Sequence, residues 1–178
     1  MAHRYFILAG LSLFLLLCGP VQATEPVKIV FVDTGNTGRS LTAELMAEKW
    51  ITEKNLHISV ISRGVDRDPF DTHAEENAAL LWKERGVEVS NHRAEQLVSN
   101  DIRHSDLILT LTKKHKTKVI ALFPEAQIKT YTLSEYATGR HTDVEDAWGK
   151  PIDFYRSMFR QVEGYIPDAM EKASSIKK

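Results

Sequence analysis

The segment Asp33-Thr34-Gly35-Asn36-Thr37-Gly38-Arg39-Ser40 combines the residue types with which a chain holds a compact anion. It follows an almost continuously apolar run, Val27 to Val32, and precedes Leu41, Leu45 and Ile51, which are spaced to face one side of a helix. In such a strand-loop-helix unit successive backbone N–H groups converge on one point, and the helix dipole adds positive potential there. Gly35 and Gly38 permit close backbone approach, and Arg39 contributes a guanidinium fork that matches phosphate oxygens. The loop alone also reads as a tight βα turn with Arg39 in a surface ion pair.

The elements that would position this loop alternate along the chain. After the first strand and helix, Ile58 to Ser62 reads as a strand and Asp71 to Arg85 as a helix, closed by Gly86 in a left-handed cap. Leu107 to Leu111 is the next buried strand, Thr112 to Phe123 a basic helix, and Ile128 to Thr132 a fourth strand. A closing helix runs from Ile152 toward Lys172, with a bend expected near Gly164 and Pro167. The alternation predicts a single-domain, doubly wound α/β fold with a mostly parallel sheet, whose ligand site lies at the carboxyl ends of the strands. The loop at Asp33 is at such an end.

Composition narrows the partners. The 178 residues, 43% hydrophobic and 26% charged, suit one compact core. A formal net charge of -1 gives no overall field that would draw the chain to nucleic acid or anionic lipid, so any anion is held locally. The cluster Lys113, Lys114, His115, Lys116 and Lys118 reads as a solvated helix face.

The first residues follow the pattern of a secretory signal: His3 and Arg4, an apolar stretch from Tyr5 to Cys18, then Val21-Gln22-Ala23 as a small-residue cleavage site. Cleavage after Ala23 would leave residues 24–178 as an exported domain, periplasmic or secreted, with no membrane attachment. An uncleaved anchor competes, but Gly10, Gly19 and Pro20 break the run. A lipoprotein competes through Cys18, but bulky Leu17 before it fits lipid modification poorly. Cys18 is the only cysteine, so the mature chain would contain no thiol and no disulfide.

The stretch Val30 to Ser40 resembles the signature of low-molecular-weight protein tyrosine phosphatases and the related thioredoxin-type arsenate reductases, a strand running into C-x5-R-S. Three further segments follow in that family's order: Ser62-Arg63-Gly64, His92-Arg93-Ala94-Glu95-Gln96-Leu97, and the acid-loop match Asp143-Val144-Glu145-Asp146-Ala147-Trp148-Gly149. The resemblance implies a three-layer sandwich around a four-stranded sheet. It implies that Thr34, Gly35, Asn36, Thr37, Gly38, Arg39 and Ser40 bind phosphate, with Asn36 and Ser40 bracing the loop. It makes Asp146 the general acid, hydrogen-bonds His92 toward Asn36 or Ser40, and puts Trp148 at the entrance. The chain departs from the family in three places: Asp33 stands at the cysteine nucleophile's position, Gly38 where many members carry a second cysteine, and Ala147 where a proline usually follows the acid.

Two functions are compatible with these residues. In one, the chain is a phosphate-monoester hydrolase in which Asp33 attacks phosphorus, Arg39 and the loop amides stabilise the equatorial oxygens, and Asp146 protonates the leaving oxygen. A carboxylate at its reference pKa of about 3.9 is ionised at neutral pH without the help a thiol requires. In the other, Asp33 disables the site and the chain is a pseudophosphatase that binds a phosphorylated or anionic partner. A carboxylate about 4 Å from a phosphate charge costs roughly 4 kcal/mol per unit charge at an effective dielectric of 20, which the amides and Arg39 would have to offset. A magnesium ion shared by Asp33 with Asp143 or Asp146 is a variant of the first; no other cofactor is implied. The expected substrate is a phosphorylated protein or a small phosphate ester.

Overall fold

The computed structural model describes residues 25–176, so the signal-like segment and Cys18 lie outside the described residues. The first strand, β1 (Val27–Asp33), is buried along almost its whole length because both of its faces are covered. Its alternate residues divide between two apolar layers. Ile29 and Phe31 join one cluster with residues of α1 (Arg39–Lys54), α2 (Glu76–Glu84) and α6 (Ile152–Ala173), while Val30 and Val32 join another with Ile102 of α3 (Ser99–His104) and Val119 of α4 (Lys113–Leu122). This is the period-two pattern of a strand between two helical layers.

The sheet contains β2 (Ile58–Gly64), β1, β3 (Leu107–Thr110) and β4 (Thr130–Thr132) in that order, with all three neighbouring pairs parallel. The chain moves outward from β1 to β2 in one direction and from β3 to β4 in the other. The reversal lies between β1 and β3, so their carboxyl ends flank the crevice where ligands of open parallel sheets bind. The loop after Asp33 opens into that crevice.

Four elements differ from the sequence-based expectation. The second helix begins at Glu76 rather than Asp71, because residues 71–75 turn toward the loop and Glu75 N–H donates to the Thr37 carbonyl. The fourth strand begins at Thr130 rather than Ile128, because Pro124 starts a 3-10 turn through Lys129 and leaves Ile128 exposed. Two six-residue helices, α3 and α5 (Leu133–Thr138), fall in stretches to which the sequence pattern assigns no element. In α5, Thr132 and Glu135 form a capping box, and Gly139 at φ 73° closes the end. The closing helix is continuous from Ile152 to Ala173 with Pro167 inside it.

Candidate active site

Asp33 ends β1 with its carboxylate buried at the head of α1, a helix with no capping side chain of its own at Gly38. Its Oδ1 accepts from the Asn36 amide at 2.6 Å and its Oδ2 from the Ser40 amide at 2.9 Å. A carboxylate thus satisfies one of the donors that a helix N-terminus leaves open.

Asn36 is the hub of the loop. It is fully buried and adopts φ 62°, a left-handed conformation that asparagine tolerates better than most residues. Its amide nitrogen donates to Ser40 Oγ at 3.0 Å and to Ser62 Oγ at 2.7 Å, and its Oδ1 accepts from the Glu95 amide at 2.9 Å. Its carbonyl lies 2.7 Å from His92 Nε2. Ser62 in turn donates to Glu44, whose carboxyl burial holds above its usual range. Gly64 must lack a side chain, because a Cβ there would lie 2.8 Å from the Thr34 carbonyl. The four segments that resemble the family's motifs thus meet around one loop, the fourth through Arg39.

Arg39 is almost buried, and its guanidinium reaches Asp146 Oδ2 at 3.2 Å. Asp146 lies on the segment between α5 and α6, and its side chain is 60% exposed. The segment is tied down by the Val144 amide on the Leu111 carbonyl and by Asp143, which accepts from the Lys113 amide at the start of α4. Trp148 stands exposed beside Asp146. Asp33, Thr34, Gly35, Thr37, Arg39, Asp146 and Trp148 line one open cavity of about 370 Å³, whose rim also carries Asp66, Asp68, Asp71, Glu75 and Lys114. Among the described residues no group of three or more His, Cys, Asp or Glu is arranged to hold a metal ion; of the two carboxylates considered as magnesium partners of Asp33, Asp143 accepts from the Lys113 amide and Asp146 pairs with Arg39.

Against this geometry the comparisons with known proteins are decisive. The model of the family "Low molecular weight phosphotyrosine protein phosphatase" matches residues 28–178. The chain belongs to that family. It is 35% identical to a protein-arginine-phosphatase of Geobacillus stearothermophilus over 83% of its length and 96% of the relative's. It is 33% identical to the low molecular weight protein-tyrosine-phosphatase PtpB of Staphylococcus haemolyticus, over 76% and 92%. A solved YwlE arginine phosphatase mutant with a phosphorylated active-site serine superposes with a TM-score of 0.79 at 31% identity, covering 84% of this chain and 97% of that one. The phosphatase fold is therefore shared over essentially all of each relative.

Within this phosphatase-family site, sequence reasoning missed two side chains. Glu75, expected inside a helix, instead reaches the loop, and its carboxylate accepts from the hydroxyls of Thr37 and Tyr155. His115, expected on a solvated face, is buried: Nε2 lies 3.0 Å from Thr34 Oγ1, and Nδ1 has no partner. Burial first, and Arg39 next, push its pKa down to about 4. Elsewhere in that basic cluster, Lys116 pairs with Glu135, Lys118 pairs with Asp66, and Lys114 stands on the cavity rim.

Proposed function

We propose that the chain is an exported phosphatase that removes phosphoryl groups from protein side chains or small phosphate compounds, with Asp33 as nucleophile. The observation that carries this reading is that Asp33, Arg39 and Asp146 line one cavity, with Asp146 held against Arg39 at 3.2 Å. An Asp33 oxygen attacks phosphorus, the bond to the leaving atom breaks, and Asp146 gives that atom its proton. Arg39 and the loop amides stabilise the equatorial oxygens. Water then attacks the acyl phosphate, its proton passing to Asp146, and the Asp33 carboxylate leaves.

Two comparisons support the reading. The solved relative with a phosphorylated active-site serine carries phosphate on an oxygen, so an oxygen nucleophile suits such a site. The names of two relatives point to phosphoarginine, and Asp68 and Asp71 on the rim suit a substrate with basic flanks. The exported location rests on residues 1–23 and predicts a mature N-terminus at Thr24.

A specific observation favours the second reading, a phosphate-binding pseudophosphatase: the Asp33 carboxylate already takes two amides of the cradle, those of Asn36 and Ser40. Hydrolysis of p-nitrophenyl phosphate and of phosphoarginine, with and without magnesium, by the mature wild type, Asp33→Ala and Asp33→Cys, separates the two. Turnover in the wild type that falls about a thousandfold or more in Asp33→Ala supports the aspartate mechanism. Turnover only in Asp33→Cys identifies an intact cradle whose aspartate has silenced it.

A further inference from the structure

We infer that Glu75 is a positioning residue for the chemistry at Asp33, holding the Thr37-Gly38 turn of the phosphate loop by filling a notch that exists because residue 38 has no side chain. The inference rests on the phosphatase reading for the reaction, while the binding measurement below stands independently of it.

Glu75 grips the turn from three directions. Its backbone N–H donates to the Thr37 carbonyl at 2.9 Å, its Oε1 accepts from the Thr37 hydroxyl at 3.0 Å, and its Oε2 accepts from the hydroxyl of buried Tyr155 in α6. A methyl group placed on Gly38 would lie 2.5 Å from Glu75 Oε1 and 3.0 Å from its Cδ. Gly38 lies outside the left-handed region at φ -135°, and the atoms that a side chain there would meet belong to Glu75. Because Thr37 and Tyr155 both hold the carboxylate, it cannot swing aside without giving up hydrogen bonds. Gly38 immediately precedes Arg39, so a shift of this turn moves the guanidinium that would clamp phosphate.

Glu75 also bears on charge. Burial raises its pKa, helped by Asp33 and opposed by the Tyr155 and Thr37 hydroxyls and the Arg39 charge, and the net shift is upward, so it takes up a proton more readily than an exposed glutamate. In its neutral form it relieves the negative charge that surrounds an incoming phosphoryl group.

The test is a double-mutant cycle on the full mature chain with Gly38→Ala, Glu75→Ala and the pair, read by calorimetric affinity for inorganic phosphate and by kcat and KM for p-nitrophenyl phosphate. The expected result is a loss of roughly tenfold in phosphate affinity for each single change and no further loss in the pair beyond Glu75→Ala alone. Losses that multiply would overturn the shared notch. Thermal unfolding of each variant confirms that the compared proteins are folded, and Glu75→Gln, which keeps the shape, gives the second readout. As pH rises, phosphate affinity should fall more in the wild type than in Glu75→Gln, since phosphate and the other groups of the site titrate in both; identical profiles would refute the charge role. A wild type that binds phosphate without turnover removes only the nucleophile reading, whereas one that binds no phosphate removes both.

Discussion

The floor and the rim of the cavity are built on different principles. At the floor, Asp33, Asn36 and Ser40 are each at most 3% exposed, and every polar group of Asn36 has a partner, drawn from the loop itself, from β2 and from the segment of His92 and Glu95. At the rim, Asp146 is held by one ion pair with Arg39 and one local turn contact, and Trp148 projects into solvent. Floor geometry is overdetermined by buried hydrogen bonds, whose loss costs stability. Rim geometry leaves residues free to meet substrate. Changes at the floor should therefore damage the fold and the site together, and changes at the rim the reaction alone.

The largest effect expected on the fold is from Asn36→Ala. It removes side-chain bonds to Ser40, Ser62 and the Glu95 amide and puts alanine at φ 62°. At roughly 1 kcal/mol for each net hydrogen bond and 1–2 kcal/mol for a left-handed non-glycine residue, urea unfolding should show a loss of about 4 kcal/mol. Asn36→Gly, which keeps the dihedral accessible, should recover about 1 kcal/mol of it. A loss under 1 kcal/mol in both would show that the floor is not held by this hub.

Next comes a pH effect below the loop, at His115. Its folded pKa of about 4 lies below the ordinary histidine value of 6.5, so between those limits the unfolded chain binds more protons than the folded one. Stability therefore rises with pH across that window and is lost as pH falls through it, by about 3 kcal/mol in all. His115→Gln should flatten the slope of unfolding free energy between pH 4 and 6.5; an unchanged slope would assign it to other groups.

The contrast also explains what the sequence could tell. The strand-loop-helix unit at Asp33 was legible because its glycines, its arginine and the flanking apolar periodicities are local, and the parallel sheet followed from alternation along the chain. Asp143 through Trp148 and His92 were reachable only through motif order, since the contacts that bring them to the loop span 56 residues for His92 and Asn36. Glu75 and His115 were not legible, because nothing local distinguishes a glutamate before a helix or a histidine among lysines from solvated neighbours. Their roles depend on which loops the fold brings together. The two short helices were missed for a related reason, as six-residue helices carry too few turns to show a period.

At the rim, Asp146→Asn should lower kcat about a hundredfold for a substrate with a poor leaving group, the usual scale of general-acid catalysis, and much less for p-nitrophenyl phosphate, whose leaving oxygen needs little protonation. Unfolding should change by less than 1 kcal/mol, because the Arg39 partner is 60% exposed and surface ion pairs contribute little. A hundredfold loss on both substrates would instead mean that Asp146 acts by holding Arg39 in place.

Trp148→Ala is the smallest change and the sharpest test of the contrast. The ring is 66% exposed, so its removal uncovers no core and should leave the melting temperature where it was. What it can lose is contact with a substrate: an aromatic wall meeting an aryl group is worth roughly 0.5–1.5 kcal/mol, or about a threefold to tenfold rise in KM for p-nitrophenyl phosphate at constant kcat. Phosphoarginine, which has no ring to stack, should feel less of it. A fall in kcat with KM unchanged would place Trp148 in the reaction rather than at its entrance, and a lowered melting temperature would mean that the rim, like the floor, is part of what holds the loop.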